Sequence, residues 1–139
     1  MTFVLDASVT LAWFFDDERQ DIADELFARL DNEEAVVPRH WFAEVANGML
    51  MGERRGRSSL AFTSIFIPQL HELSIVIDTI EAWSQFSIVL PLARAHTLTV
   101  YDAAYLELAE RRGLPLATLD NRLAAAGRTV GVEILGAPE

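Results

Sequence analysis

The sequence predicts an α/β domain built on a parallel sheet with helices on both faces. Three observations carry that reading: short apolar runs alternate with longer stretches of helical spacing, turn residues fall between them, and the length suits one domain. The apolar runs cover residues 2–5, 35–37, 115–118 and 132–135, with a weaker fifth at 74–77. Strands of a parallel sheet are buried on both faces, so they read as continuous apolar runs rather than as alternation. Helical spacing covers residues 20–30, 40–53, 59–72, 80–96 (with a break expected at Pro91), 100–112 and 122–126, and a first helix follows Asp6. Gly113 before Leu114-Pro115, and Gly127 and Gly131 before the last run, supply the punctuation. No repeat, linker or low-complexity segment interrupts the chain, so residues 1–139 are read as a single domain.

Composition limits the chemistry. The chain is 51% hydrophobic and 23% charged, which describes a packed core rather than a disordered segment. It has no cysteine, which excludes disulfides, zinc-thiolate sites and a thiol nucleophile. No run reaches the roughly 18 apolar residues that a spanning helix needs; the most apolar, residues 86–93, is short and contains Pro91. The amino terminus lacks a basic region and runs straight into an apolar strand, so no signal peptide is expected. A cytoplasmic protein without a membrane partner is the expectation. Eleven basic residues stand against 21 acidic ones, a formal net charge of −10. That argues against a protein that coats nucleic acid by counterion release. It leaves open an enzyme that meets a phosphate through metal ions, because a bound cation reverses the local sign. All the basic residues are arginine; without lysine, Schiff-base chemistry and a P-loop are excluded.

Four acids lie where acids are costly. Glu44 is the only charged residue between Trp41 and Gly52, in a helix of Trp, Phe, Ala, Val, Met and Leu. Burying such a carboxylate unpaired costs on the order of several kcal/mol, so it needs a metal or a partner such as a buried arginine. Asp102 shares a helix face with Tyr105, Leu106 and Ala109, while Glu107, Glu110 and Arg111 are expected to point elsewhere. It also stands at the third position of a capping sequence opened by Thr99, and both readings are open. Asp6 and Asp120 each follow an apolar run and precede a helix, where either is a suitable N-cap. Both also fall at the carboxyl ends of predicted parallel strands, where open α/β sheets place their ligands. Capping does not explain the whole set. Clustered carboxylates raise one another's proton affinity and are tolerable only around a cation. Hard ions such as Mg²⁺ and Mn²⁺ prefer oxygen donors, and they activate water and stabilise charge on a phosphoryl oxygen. Ser8 and Thr118, beside the acids, can orient ligands or serve as turn hydroxyls. His40, His71 and His96 show no metal-binding spacing.

In chain order, Val4-Leu5-Asp6-Ala7-Ser8, Glu44 in the third helix, Val100-Tyr101-Asp102-Ala103-Ala104-Tyr105-Leu106 and Ala117-Thr118-Leu119-Asp120 resemble the PIN domain. The similarity is to the VapC-type toxins of bacterial and archaeal toxin–antitoxin pairs. It covers essentially the whole chain, including the run at 132–135. The resemblance implies a three-layer α/β/α sandwich with a five-stranded parallel sheet, and a Mg²⁺- or Mn²⁺-dependent endoribonuclease acting as a toxin on RNA. It also implies a homodimer, and a small antitoxin protein whose tail occludes the site. Carried over by position, Asp6, Glu44, Asp102 and Asp120 are the catalytic, metal-binding acids. Some relatives have a further acid soon after the last of these, where this chain has Asn121, a residue placed beside the metal; the count of ions is therefore one or two. Arg54, Arg55 and Arg57 form the only basic cluster, which joins two helices. It either contacts the RNA backbone or is a solvated helix end that complements the dipole. Trp13-Phe14-Phe15 is denser than one helix face buries; core packing is the expectation for most of these rings, with the antitoxin or a second subunit as the alternative cover for part of the cluster.

Three other readings compete. A non-enzymatic relative with a lost metal site would not keep all four acids. Phosphoacceptor receiver domains resemble a set that includes a lysine, which is absent here. Haloacid-dehalogenase-like phosphatases resemble a DxDxT start and a lysine, and Asp6-Ala7-Ser8 supplies neither.

Overall fold

The computed structural model describes residues 2–137; Met1, Pro138 and Glu139, the outermost residues of the predicted domain, lie outside the described residues. The elements are β1 (Phe3–Leu5), α1 (Ala7–Phe14), a 3₁₀ turn (Asp16–Glu18), α2 (Asp21–Arg29), β2 (Ala35–Pro38), α3 (Trp41–Arg54), α4 (Leu60–His71) and β3 (Ile75–Asp78). There follow a π-type turn (Gln85–Val89), α5 (Leu90–His96), α6 (Val100–Arg112), β4 (Leu116–Thr118), α7 (Asn121–Thr129) and β5 (Ile134–Gly136). The five strands form one sheet in the order β3-β2-β1-β4-β5, and every neighbouring pair is parallel. The predicted parallel α/β architecture is therefore the observed one.

The sheet order follows from burial. Phe3, Val4 and Leu5 are fully buried and make β1 the central strand. The weakest apolar run becomes β3, an edge strand whose Val76 and Ile77 stay exposed. The chain steps outward from β1 to β2 and β3, then returns across β1 to β4 and β5, so strand order reverses between β1 and β4. Ligands of open α/β sheets sit outside such a reversal, at the carboxyl ends of the strands. Helix α6 crosses this region with Ala103 through Ala109 all buried, and Thr99 caps it by accepting from the Asp102 N–H at 3.1 Å. Helices α1 and α3 approach closely at Gly48 and Gly52, where an added Cβ would stand 2.6 Å from Leu11 and 2.5 Å from Phe15. That closeness brings the helix of Glu44 against the helix of Ser8.

One local expectation is corrected. The helix expected over residues 80–96 starts only at Gln85, and Pro91 does not break it. Pro91 stands in the first turn of α5, directly after the π-type turn, whose wider backbone accommodates its ring. Glu107 is only 7% exposed and binds Arg111, which reaches on to Asp78. The Trp13-Phe14-Phe15 cluster follows the core-packing expectation and is covered from within the chain. Phe14 and Phe15 are buried, Phe14 packs edge-on against Phe66, and the Trp13 indole donates to the Ala23 carbonyl at 2.6 Å.

Gly136 ties the fold to the site. It pairs with Thr118 across β4 and β5 at φ 115°, and a Cβ there would lie 2.6 Å from the Thr118 carbonyl oxygen. Both left-handed strain and the backbone clash oppose any side chain. Gly136→Ala is expected to cost about 1–3 kcal/mol and to lower the melting temperature by roughly 3–10 °C. Thermal unfolding monitored by circular dichroism checks this, and an unchanged midpoint contradicts the described close approach.

A candidate carboxylate centre at the strand-order switch

Asp6 is the residue on which the site is built. It is only 4% exposed, at the end of the central strand, and its own N–H extends the β1–β4 ladder to the Ala117 carbonyl. It occupies the N-cap of α1, yet its side chain makes no capping bond. The carboxylate turns instead across the strand-order reversal and accepts two hydrogen bonds on Oδ2, from Ser8 Oγ and Thr118 Oγ1, each at 2.7 Å. Each hydroxyl also accepts a backbone N–H, Ser8 from Leu119 and Thr118 from Asp120, both at 3.0 Å. A hydroxyl has one hydrogen. Both hydrogens go to Asp6, so the 3.5 Å approach of Ser8 Oγ to Thr118 Oγ1 is a contact and not a bond. Oδ1 of Asp6 receives no donor among the described residues.

The other acids arrive from three elements. Asp120 caps α7, accepting the Leu123 N–H on Oδ1 at 2.9 Å, so the capping reading holds for this residue. Asp102 lies half-buried in the first turn of α6. Glu44, in the first turn of α3, accepts the phenol hydrogen of Tyr105 at 2.7 Å. No arginine pairs with it, which removes the bland alternative for this acid. His40 Nε2 lies 2.9 Å from the same Glu44 oxygen. The angle is not that of a hydrogen bond, and the ring nitrogen has no hydrogen-bond partner. The His40 ring is wedged against both Tyr101 and Tyr105, with centroids 5.6 and 5.1 Å away.

The four acids feel one another. Burial, above all, pushes the Asp6 carboxyl up to about 6; the Ser8 and Thr118 hydrogen bonds oppose it, and the charges of Glu44 and Asp102 add to it. Asp102 is raised by its burial first, then by the charges of Asp120 and Glu44. The Tyr105 phenol is held far above its ordinary value by burial, followed by the charges of Asp6 and Glu44, so it remains a hydrogen donor. As they lie, no three His, Asp or Glu side chains among the described residues close on one point to grip an ion. The reason is local: Asp6, Glu44 and Asp120 each lean on their own donors. As a donor set, the cluster fits a hard divalent cation. It offers carboxylate oxygens with no thiol, and its most buried member, Asp6, forms no ion pair with a cation among the described residues.

The remaining expected positions divide. Ser8 and Thr118 hold Asp6 directly. Asn121 opens α7 with an exposed side chain that makes no hydrogen bond among the described residues. Arg54 and Arg55 are exposed at the end of α3 and have no partner among the described residues. Arg57 is otherwise engaged: it pairs with Asp17 at 2.8 Å and Glu18 at 2.6 Å, and its guanidinium lies 4.0 Å over the Phe15 ring. Sequence reasoning passed over His40 and Tyr105. The spacing of His40 to Glu44, one helical turn, was the available signal for the first.

A parallel sheet with acids after β1 and β4 and in the first turns of α3 and α6 defines an α/β protein with a candidate carboxylate centre at the strand-order reversal. The chain belongs to the PIN domain family, which it matches over residues 3–128. It is 32% identical to Ribonuclease VapC3 of Pyrobaculum aerophilum over 124 residues, 89% of this chain and 93% of that protein. The crystal structure of PAE2754 from Pyrobaculum aerophilum is similar, with TM-score 0.69 and 25% identity over 96% of this chain and 83% of that one. That of VapBC2 from Rickettsia felis, bound to a DNA fragment from their promoter, shares the fold with TM-score 0.65 and 13% identity, covering 99% and 100%.

Asp6 and its donors can be tested separately. The native Asp6 carboxyl takes up a proton near pH 6, against 3.8 for an unperturbed aspartate, so folding binds a proton between those values. In metal-free buffer its contribution to stability is therefore greatest below about pH 4 and is lost as pH rises through 6, by about 3 kcal/mol. Asp6→Asn is expected to unfold at a higher temperature than the parent protein at pH 7.5, with the difference shrinking towards pH 4; equal midpoints at both pH values contradict it. Thr118→Val keeps the shape and removes one donor and one acceptor of the network. A loss of about 1–3 kcal/mol in denaturant unfolding is expected.

Proposed function

We propose that the chain is a Mg²⁺- or Mn²⁺-dependent endoribonuclease, a single PIN domain acting on RNA as the toxin of a toxin–antitoxin pair. The observation that carries the reading is Asp6: a buried carboxylate aimed away from its helix, at the strand-order reversal, with Glu44 and Asp102 near enough to raise its proton affinity. Membership of the PIN family and the ribonuclease name of the Pyrobaculum relative supply the reaction class.

In this reading Asp6, Glu44, Asp102 and Asp120 hold the metal. A bound divalent cation supplies water activation and neutralises charge on the scissile phosphate. The chain's own residues supply position. Ser8 and Thr118 fix Oδ2 of Asp6 and leave Oδ1 to the site. Tyr105, locked in the core, aims Glu44 from below. Asn121, beside Asp120, stands where relatives with a further acid carry it, which favours one tightly held ion. Among the described residues no helix is long and apolar enough to cross a membrane, and a cytoplasmic toxin that meets RNA there is the corresponding setting.

The antitoxin and homodimer readings draw support from the toxin–antitoxin neighbour and from apolar surface. Leu60, Ile65 and Ile67 of α4 are more than half exposed, as are Trp83 and Phe86 before α5. Such side chains are ordinarily covered in a monomer.

Incubated with total RNA and Mn²⁺, the protein is expected to produce discrete fragments, and EDTA to abolish them. Asp6→Asn and Asp102→Asn should lower cleavage at least a hundredfold while keeping the native circular dichroism spectrum. The cation should also raise the parent's melting temperature, through binding to the native state, and do so far less for Asp6→Asn. Chelator-resistant cleavage, or variants as active as the parent, would refute the metal mechanism.

A further inference from the structure

Two cavities flank the amino end of α6 and meet at Val100. One, of about 460 Å³, lies between the ends of β2 and β3 and the flank of α6; Arg39, His40, Gln85, Val89 and Tyr101 are among its walls. The other, of about 520 Å³, lies between α5, α6 and the start of α7, and is lined by Arg94, Thr97, Thr99, Asp102 and Arg122. Each cavity reaches one of the acids. His40 in the first cavity is 2.9 Å from Glu44, and Asp102 itself lines the second.

The arginines discriminate among surfaces. Arg39, Arg54, Arg55, Arg94 and Arg122 have no carboxylate or hydrogen-bond partner among the described residues, although the chain carries 21 acids and a net charge of −10. An acid-rich chain that leaves cations unpaired holds them ready for an external anion. Three of the five line the two cavities beside the acids, and Arg57 of the expected basic cluster is already neutralised by Asp17 and Glu18. Tyr101 is the second feature. It is 62% exposed beside the largely apolar first cavity, with its ring tilted on His40 and no hydrogen-bond partner for its hydroxyl among the described residues. An exposed aromatic face beside a cavity with an amide and a hydroxyl (Gln85, Thr79) suits an unstacked nucleobase.

We propose that single-stranded RNA crosses the amino end of α6, with a backbone phosphate gripped by Arg94 and Arg122 on one side of the acids and a base stacked on Tyr101 on the other. This rests on the ribonuclease reading and gives it a direction: the scissile phosphate lies between the two contacts. A base in the Tyr101 cavity has left its own stack, so the track selects single strands over duplex.

The two contacts have separable signatures. Binding of a fluorescein-labelled 12-nucleotide single-stranded RNA of randomised sequence is measured by anisotropy with Mn²⁺, in the Asp6→Asn background to suppress cleavage. Tyr101→Ala should weaken binding roughly 5- to 100-fold with an unchanged salt slope, and Tyr101→Phe should restore it. The Arg94→Ala/Arg122→Ala pair should reduce the slope of log affinity against log salt by about 0.7 for each phosphate no longer neutralised. Arg54→Ala/Arg55→Ala should change neither. All these side chains are exposed, so melting temperatures should stay put and exclude unfolding as the cause. If the parent protein cleaves total RNA but the Tyr101 and Arg94/Arg122 variants bind like their background, the track is wrong and the ribonuclease stands. If Arg54→Ala/Arg55→Ala carries the salt effect instead, RNA runs over the end of α3 and the track is likewise wrong. If the parent neither binds nor cleaves RNA, both readings fall.

Discussion

The charge on Asp6 is the constraint to which the rest of the carboxyl edge answers. A carboxylate removed from water must find donors, and here the donors are two hydroxyls from opposite sides of the strand-order reversal. Those hydroxyls in turn accept the backbone N–H groups of Leu119 and Asp120. The turn that leads from β4 into α7, and with it the position of Asp120, is thus fixed by the same hydrogen-bond network that satisfies Asp6. Fold and site share their polar contacts, so the seam between β1 and β4 cannot be loosened without moving the acids.

The arrangement is costly by design. Burial and like charges both oppose ionisation of Asp6 and Asp102, and a core of apolar residues at the same positions would be more stable without a ligand. A protein that keeps such a cluster ordered has rigid neighbours. Tyr105 is fully buried and presents only its hydroxyl to Glu44. Helix α3 is drawn against α1 at Gly48 and Gly52. The acids are therefore held on strands and helices rather than on loops, which is what precise placement about a small ion requires.

Much of this was legible in the sequence, for physical reasons that differ by element. The inner strands were visible because burial on both faces keeps them almost wholly apolar, as in β1 and β2; β3 was weaker because it lies at the sheet edge, where Val76 and Ile77 stay exposed on its two faces. Helix α6 was delimited correctly at both ends, because Thr99 and Gly113 are a cap and a left-handed stop. The stretch before α5 was misread because residues 80–84 are rich in side chains compatible with a helix, while its start at Gln85 is set by a π-type turn that leaves no periodic trace. The burial of Glu107 left no periodic trace, because helical periodicity marks one buried face whereas α6 is covered on nearly all sides. The acids stood out by their surroundings. What no pattern could reveal was the orientation of each carboxylate: Asp6 and Asp120 occupy equivalent N-cap positions, and only one uses its side chain to cap.

Net charge poses the last problem, because a chain at −10 repels any polyanion at a distance. Beyond a Debye length of roughly 8 Å at physiological salt that repulsion is screened, so what matters is the charge within about one such length of the reacting phosphate. There the balance differs from the whole molecule's. On the proposed reading the four acids would be offset by the cation they hold, and Arg39, Arg94 and Arg122, unpaired among the described residues, line the flanking cavities. An enzyme built this way gains little from long-range steering and depends on short-range fit. Moderate salt therefore acts in two opposed directions on it, relieving the general repulsion while weakening the arginine contacts, and its affinity should vary with ionic strength less steeply than that of a basic RNA-binding protein making as many phosphate contacts.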